Sequence, residues 1–585
     1  MDVLFINSTD TPQLRDQTNG TMLLATRLLQ GGITAEILCF HQFSHYKKQY
    51  EAFISDATEK ILAKNARCVS FYTLWPYFHI MLRMAKEIKA RSPQTVIVFG
   101  GPQATFSARQ VLEAFDCIDY ICTGEGEELV VSFFRSVLAG ERPTIAGLFY
   151  REKGHVLCTP GQPPLTDLEQ LPYWDDRLLS PDFPGCDPDL PRRSYYMPID
   201  SGRGCPFRCT FCCTNQFLHR SFRLKSADRM IRDIRYHKEH YGIRSFRLSH
   251  DAFTTNRKLV LEFCRRLREE DLDVNWRCCS RIDLIDEELI LNMKAAGMDS
   301  IELGLETGSE RMQALVNKRL DLARAKEMVA FLLEQKLRVV LFFMYGFPEE
   351  TPEDLRMTLD LFFELMDMGV QTATMAFCRF YPGTKDTEQY ASQLVFDPSV
   401  RKLSRHVFGY ENELSVIRQN PAIFPFFHHL PTPVRQEFQN LFFLGHLYQR
   451  FPRYIRYLRQ SWAGDNLQFA RDFLAANEAL FSMGMEYAYD RIHDDPMQFI
   501  ENLFSYKQLP GEKQLRAMLT LDLDLSAMSR REEGAYLCKC YDFSMVELKL
   551  GIEAAQMSDA RTQIALRKRD GKTQMKILGL QTGSE

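Results

Sequence analysis

Gly202-Arg-Gly-Cys-Pro-Phe-Arg-Cys-Thr-Phe-Cys-Cys213 decides the reading of this chain, because Cys205, Cys209 and Cys212 stand within it in C-x3-C-x2-C spacing. Cys thiolates are the usual protein ligands of a 4Fe-4S cluster, and three of them leave one iron open to a small molecule. A zinc site takes four Cys or His ligands in paired spacing, and no second C-x2-C or His-x3-His lies nearby to complete one. Free cysteine also packs as a small hydrophobe, so 16 Cys in 585 residues leave a chance cluster of buried thiols as the plain alternative. Cys213 points elsewhere in any compact loop and is read as structural.

Downstream of this motif, residues 197–395 alternate apolar strands with charged helices. The pattern predicts a helix over 226–240, a strand over Ser245-Phe-Arg-Leu-Ser249, a helix over 257–270 and a strand at Asn275-Trp-Arg-Cys278. It continues with a helix over 287–296, a strand at Ser300-Ile-Glu-Leu-Gly304, a helix over 322–335 and a strand at Val339-Val-Leu-Phe-Phe343. Repeated β-α units imply a parallel barrel, complete or partial, with its active site at the carboxyl ends of the strands. Asp251, Arg281, Glu306 and Ser309 fall at such ends, and Gly346 follows the strand at 339–343. His250, beside Asp251, has no assigned role.

Upstream, residues 1–150 place short apolar runs at Val3-Leu-Phe-Ile6, Ala35-Glu-Ile-Leu38, Cys68-Val-Ser-Phe71, Val96-Ile-Val-Phe99 and Asp119-Tyr-Ile-Cys122. Amphipathic stretches separate them, which reads as an open, parallel, doubly wound sheet. Ligands of such sheets sit beyond the carboxyl strand ends. Those ends carry Asn7, then Thr73 and Leu74, then Gly100, Gly101, Gln103 and Thr105, then Gly124 and Glu125. Glycine there lets backbone approach a large flat ligand closely. Residues 151–196 are proline-rich and aperiodic, a linker or wrapping segment. Residues 396–585 are mostly helical by pattern, with strands expected near 536–541 and 574–578. Aromatic groups such as Phe424-Pro-Phe-Phe427 read as core, and Cys538 and Cys540 read as packed thiols rather than an auxiliary metal site.

A chain of 585 residues exceeds a single hydrophobic core and is expected to form about three or four domains. Its 45% hydrophobic and 25% charged content is ordinary for a globular protein, and the formal net charge of -4 makes nucleic acid a poor default partner. No basic leader with a long apolar run and no apolar stretch of spanning length is seen, so the expectation is a cytoplasmic protein with no membrane partner. Thiolate ligands without a disulfide framework point to the same reducing compartment.

The cysteine spacing, with Phe211 just before the last thiol, resembles the radical S-adenosylmethionine superfamily. Gly100-Gly-Pro-Gln-Ala-Thr-Phe106, Gly124-Glu-Gly-Glu127 and the connector Asp167-Leu-Glu-Gln-Leu-Pro-Tyr-Trp174 are similar to the class in which a cobalamin-binding domain precedes the catalytic barrel. The D-x-H-x-x-G signature of proteins that ligate cobalt through histidine is absent from residues 1–40, so no histidine of that motif would sit below the cobalt.

The resemblance implies an α/β chain: a Rossmann-like cobalamin-binding domain, a partial (β/α)6 barrel and a mostly helical carboxyl-terminal domain with a possible substrate-binding role. It implies a 4Fe-4S cluster on Cys205, Cys209 and Cys212, and S-adenosylmethionine beside Phe211, Asp251, Arg281, Glu306, Ser309 and Gly346. Cobalamin would lie at Asn7, Thr73, Leu74, Gly100, Gly101, Gln103, Thr105, Gly124 and Glu125. The implied activity is methyl transfer to an unactivated carbon of a small-molecule or peptide substrate, through a 5′-deoxyadenosyl radical and methylcobalamin, with a flavodoxin- or ferredoxin-type electron donor. Radical cyclisation without net methylation is the alternative. A tRNA methylthiotransferase would need a second cluster set, which Cys39, Cys68, Cys117 and Cys122 do not form convincingly, and a cobalamin sensor would have no use for intact cluster ligands.

Overall fold

The computed structural model describes residues 1–8, 19–44, 49–179, 195–398, 409–462, 464–483, 497–506, 516–517, 519–521, 524, 536–541, 560–569 and 572–582. Its contacts divide the chain into two compact units, one of Met1–Gly304, Ala314–Arg338 and Cys378–Pro431, the other of Leu305–Gln313, Val339–Phe377 and Thr432–Glu585.

The first unit begins with a seven-stranded sheet in the order β2-β1-β3-β4-β5-β6-β7. Strands β1 (Val3–Asn7), β2 (Ala35–Cys39), β3 (Cys68–Tyr72), β4 (Val96–Gly100) and β5 (Tyr120–Cys122) run parallel. Side chains alternate between the two faces, which is why both must be apolar. Leu4, Ile6, Val69, Phe71, Ile97 and Phe99 pack with α2 (Tyr50–Ala63), α3 (Phe78–Arg91) and α4 (Pro102–Ala114) on one side. Val3, Phe5, Cys68 and Val98 pack with α1 (Asn19–Gln30) and α5 (Val130–Leu138) on the other. The strand order reverses between β1 and β3, and the crevice beyond that point is where such sheets bind ligands.

The sheet extends beyond its expected parallel strands. Strands β6 (Leu148–Glu152) and β7 (His155–Cys158) add an antiparallel hairpin inside what the composition marks as the start of a linker. Its two-residue turn, Lys153-Gly154, has φ of +50° and +80°, the conformation that matches strand twist in tight hairpins.

Four further parallel strands, β8 (Met197–Asp200), β11 (Ser245–Ser249), β12 (Asn275–Ser280) and β13 (Met298–Glu306, in this unit as far as Gly304), lie in that spatial order. Between β8 and β11, the short strands β9 (Gly202–Arg203) and β10 (Arg223–Leu224) pair antiparallel and close the cysteine loop. Helices α7 (Ala227–Tyr241), α8 (Arg257–Glu269), α9 (Glu287–Ala295) and α11 (Leu322–Glu334) follow the strands, each starting at a side-chain cap, from Ser226, Asn256, Asp286 and Asp321. The short helices α6 (Thr214–Phe217) and α10 (Glu310–Leu315) precede α7 and α11. Phe424 and Phe427 are core of this unit, Phe424 meeting Phe78 of α3 at 5.7 Å and Phe427 meeting His79 at 5.3 Å.

The second unit holds the parallel pair β14 (Arg338–Tyr345) and β15 (Thr372–Phe377), with α12 (Pro352–Asp367) between them in sequence. Thr351 and Asp354 form a reciprocal capping box at the start of α12. Among the described residues six helices follow, Pro433–Glu437, Phe442–Arg450, Pro452–Gln460, Asn466–Ala476, Glu478–Ser482 and Met497–Tyr506, and Phe443, Phe473, Phe481 and Phe499 pack as a buried aromatic centre. The last strands, Tyr536–Tyr541, Ala560–Arg569 and Lys572–Thr582, form an antiparallel sheet whose first member carries Cys538 and Cys540. Among the described residues no helix is long and apolar enough to cross a membrane.

Candidate functional site

The cysteine loop is irregular, and close backbone packing fixes its shape. A Cβ on Gly204, at φ +85°, would lie 1.8 Å from the Ser221 carbonyl oxygen, and one on Gly202 would lie 2.4 Å from the Arg223 carbonyl oxygen. Only glycine permits both approaches. Mid-loop, the Thr210 N–H donates to the Val316 carbonyl at 3.1 Å, the Thr210 carbonyl accepts the Asp386 N–H at 3.2 Å, and Asn317 Nδ2 donates to the Arg208 carbonyl at 2.9 Å.

Cys205, Cys209 and Cys212 are all half-buried, so their sulfurs are neither core thiols nor loose surface groups. Burial pushes the Cys205 thiol up to about 11 and Cys213 up to about 12. Binding iron takes a thiol as thiolate regardless of that shift. Among the described residues no three or more His, Cys, Asp or Glu side chains converge on a single point, as ligands of a lone metal ion do. Three partly open sulfurs on one anchored loop suit a cluster whose irons take one thiolate each.

Arg281, after β12, reaches this loop. Its guanidinium lies 3.9 Å from the centre of the Phe207 ring and 3.8 Å from Cys209 Sγ, forks onto Asp283 at 2.9 Å twice, and donates to the Lys318 carbonyl at 2.8 Å. A buried cation beside a cysteine sulfur favours the thiolate. Asp251 is exposed; it acts electrostatically on Cys205, and desolvation by the surrounding protein raises its own pKa. His250 is buried, its Nδ1 accepts the Ala252 N–H at 2.9 Å, and burial lowers its pKa to about 4, so a neutral ring shapes the turn after β11. Phe211 is half-buried between the last two thiols of the motif.

At the crevice of the first sheet, sequence expectation and structure divide. Leu74, Gly100, Gly101, Thr105 and Gly124 are partly open, and Gly101 and Gly124 have φ of +90° and +77°. Thr73 and Gln103 are buried and occupied. The Thr73 hydroxyl donates to the Gly100 carbonyl at 2.7 Å and accepts the Ala104 N–H at 2.9 Å, and Gln103 Nε2 donates to the Ile423 carbonyl at 2.7 Å. They stitch the crevice together.

Glu125 is likewise committed within the protein. Its carboxylate accepts Arg203 Nη1, Arg223 Nη1 and the Leu165 N–H, each at 2.8 Å. Burial works to raise its pKa, but Arg223 and Arg203 outweigh that and hold it below the usual carboxylate range. Arg203 also pairs with Glu127 at 2.7 Å and Asp200 at 2.9 Å. The crevice still offers polar groups to a ligand: Asn7 Oδ1, Ser8 Oγ and Trp75 Nε1 are buried without a hydrogen-bond partner among the described residues. Unpaired buried polar atoms at the ends of β1 and β3, with glycine-lined openings beside them, fit a large polar ligand such as cobalamin.

In the second unit, Glu306 is buried with φ of +65°, a strained conformation for a non-glycine residue at a strand end. Ser309 is fully engaged: its hydroxyl donates to Asp354 Oδ1 at 2.5 Å and accepts the Met312 N–H at 3.2 Å, capping α10. Gly308 is forced by proximity, since a Cβ there would lie 2.4 Å from the Met357 carbonyl oxygen of α12. Gly346 has φ of +78° and donates its N–H to Glu350, whose buried carboxyl is pushed up to about 8 by desolvation. Reading the sequence for strand-end residues misses Arg203, Arg223, Asp283 and Glu350. Arg203 lies inside the motif itself, but its partner Glu125 is 78 residues away.

A B12 binding domain matches residues 19–134 and the Radical SAM superfamily matches residues 199–362. The chain is 29% identical over 303 residues to uncharacterized methyltransferase PH0819 of Pyrococcus horikoshii, covering 52% of this chain and 64% of that protein. It is 30% identical over 292 residues to the anaerobic magnesium-protoporphyrin IX monomethyl ester cyclase of Rubrivivax gelatinosus, covering 47% of this chain and 50% of that protein. The matches thus span about half to two-thirds of these curated relatives. Among solved structures, the cobalamin-dependent S-adenosylmethionine radical enzyme OxsB superposes with a TM-score of 0.57 at 13% identity, over 91% of this chain and 82% of that one, a likeness of fold.

Proposed function

We propose that this chain, which belongs to the cobalamin-dependent radical S-adenosylmethionine enzymes, transfers a methyl group to an unactivated carbon of a small-molecule or peptide substrate. The observation that carries this reading is the anchored loop of three half-buried thiols with Arg281 against Cys209, in one compact unit with the glycine-lined crevice of the first sheet. When bound, the cluster and S-adenosylmethionine supply a 5′-deoxyadenosyl radical and cobalamin supplies the methyl group.

The chain's own residues hold and orient. Cys205, Cys209 and Cys212 would ligate the cluster, with Arg281 offsetting its negative charge. Phe211, Asp251, Glu306 and Gly346 would border S-adenosylmethionine. Asn7, Leu74, Gly100, Gly101, Thr105 and Gly124 would border cobalamin, while Thr73, Gln103 and Glu125 fix the walls around it and Ser309 fixes the start of α10. The segment 396–585 would contribute to substrate binding, and a flavodoxin- or ferredoxin-type protein in the cytoplasm would supply electrons.

A second reading, ring closure without net methylation, is favoured by the cyclase among the relatives. One experiment separates the two: anaerobic reconstitution with iron, sulfide and hydroxocobalamin, then reaction with reductant and methyl-deuterated S-adenosylmethionine in the presence of a candidate substrate. Deoxyadenosine with deuterium in the product supports methyl transfer. Deoxyadenosine with an unlabelled, ring-closed product supports cyclisation, and absence of bound cobalamin refutes both.

A further inference from the structure

The parallel strands of the first unit carry a second charged group, away from the cysteine loop. Along β11, β12 and β13, Phe246, Leu248, Trp276, Cys278, Ile301 and Leu303 are buried, and Trp276 meets Phe263 of α8 at 5.6 Å, so this face lies under helices. The alternate residues Arg247, Arg277, Cys279 and Glu302 turn to the opposite face and remain half-buried.

Register brings these residues side by side, Arg247 beside Arg277 and Cys279 beside Glu302. Like charges on adjoining strands repel unless an anion lies between them. Glu302 answers both guanidiniums only at long range, 3.6 Å from Arg247 Nη2 and 3.7 Å from Arg277 Nε. Its Oε2 accepts the Cys279 thiol at 2.9 Å. Arg277 otherwise stacks on the Tyr196 ring at 4.5 Å, and its buried Nε has no hydrogen-bond partner. Of the neighbouring carboxylates, Asp299 accepts Tyr196 Oη and Asn275 Nδ2, each at 2.8 Å, Asp200 pairs with Arg203, and Asp251 acts electrostatically on Arg247. Arg277, a flat guanidinium fixed by ring stacking, with its Nε lacking a hydrogen bond and a side chain 28% exposed, is suited to a planar or tetrahedral oxyanion.

We infer that Arg277, flanked by Arg247, binds a carboxylate or phosphate group of the substrate on the uncovered face of β11 and β12. The inference rests on the proposed radical-enzyme reading only for the statement that the ligand is the substrate. It makes that substrate an acidic molecule and Arg277 a specificity-determining residue.

The test is calorimetric titration of the full-length, cluster-free chain with inorganic phosphate and, separately, with succinate, against a chloride background of equal ionic strength. The wild type is expected to bind at least one anion, and the tighter of the two identifies the acidic group. Arg277→Gln should weaken that binding at least tenfold. Arg277→Lys, which keeps the charge but loses the fork, should weaken it at least threefold and serves if the glutamine variant fails to fold. Arg244→Gln, at an exposed residue paired with Asp273, should bind as the wild type does. No anion binding above chloride, or Arg277 variants that bind like the wild type, overturns the inference. Deoxyadenosine formation by the reconstituted wild type is measured in parallel: its absence with anion binding intact refutes the enzymatic reading and leaves the anion site standing.

Discussion

Replacing Glu125 by Gln removes one negative charge from a buried network while preserving the side chain's shape. The carboxylate receives three hydrogen bonds at 2.8 Å, and the side chains of Glu125, Arg203 and Arg223 are only 6%, 14% and 12% exposed. Arg203 keeps Glu127 and Asp200 after the change. Arg223 keeps only the Leu165 carbonyl, and its Nε and Nη2 are already buried without partners. The loss therefore concentrates on Arg223. Leaving one member of a buried pair uncompensated costs about 3–5 kcal/mol, and the amide oxygen that still accepts one donor reduces this to about 2–4 kcal/mol.

Because a chain of several domains does not unfold in one step, the assay must be local: hydrogen exchange at the β9–β10 ladder, where Gly202 and Arg203 pair with Leu224 and Arg223. At about 1.4 kcal/mol per factor of ten, the expected acceleration is roughly 30- to 1000-fold. Iron retained after anaerobic reconstitution should fall in parallel, since Arg203 lies two residues before Cys205, a proposed ligand. The pH dependence has a defined sign. The folded-state pKa of Glu125 is depressed, so its contribution is complete above the ordinary carboxyl value of 4.5 and is lost as pH falls through the lower folded value. Wild-type protection should drop on acidification below about 4.5, and the Gln variant should show a flatter profile. The double change with Arg223→Gln should cost less than the sum of the two single changes. Exchange within threefold of wild type in Glu125→Gln would refute the claim that this network holds the cysteine loop.

Further changes test the remaining geometry. Gly204→Ala places a methyl group 1.8 Å from the Ser221 carbonyl at φ +85°, so bound iron per chain should fall to near zero while the secondary-structure signal of the rest persists. Ser309→Ala removes the cap of α10 and a hydrogen bond to buried Asp354; the melting transition of the second unit should lose about 1–2 kcal/mol, with S-adenosylmethionine affinity within twofold, because the hydroxyl is already used. Glu350→Gln bears on pH. A carboxyl raised from 4.5 to about 8 on folding favours the native state most below 4.5 and loses that advantage as pH rises to about 8, so the Gln variant should lack the stability decline across this window in a melting-temperature series.

The parallel strands were legible because both faces are buried, which writes them as short continuous apolar runs such as Val96–Phe99. The cysteine spacing was legible because cluster ligation needs its donors close in sequence. Strands β6 and β7 were not, because they lie at a half-exposed edge where no apolar run is required. The site residues separate on the same ground. Position at a strand end can be read from the pattern, but what a side chain does there depends on partners supplied by the fold. Gln103 finds Ile423 320 residues away, and Glu125 finds Arg223 at a distance of 98. Residues expected to face a ligand prove to be tied to protein wherever such distant partners arrive, as with Thr73, Gln103, Glu125 and Ser309.

These ties have a functional consequence. Chemistry that uses two cofactors depends on the spacing of the surfaces that hold them, and an angstrom of misplacement can cost about a hundredfold in rate. Within the first unit, side-chain contacts join the two surfaces directly. Glu125, beside the crevice glycine Gly124, grips Arg203 at the entry to the cysteine loop and Arg223 at its exit. On the far side of the loop, Trp75 from the end of β3 meets Tyr381 at 5.2 Å, and Phe106 of α4 meets Phe217 just after Cys213 at 6.2 Å. Phe106 also fills the space beside Gly383, where a Cβ would lie 2.2 Å from its ring. Two ion pairs of Glu125 and the Phe106–Phe217 contact thus tie the cysteine loop to the crevice.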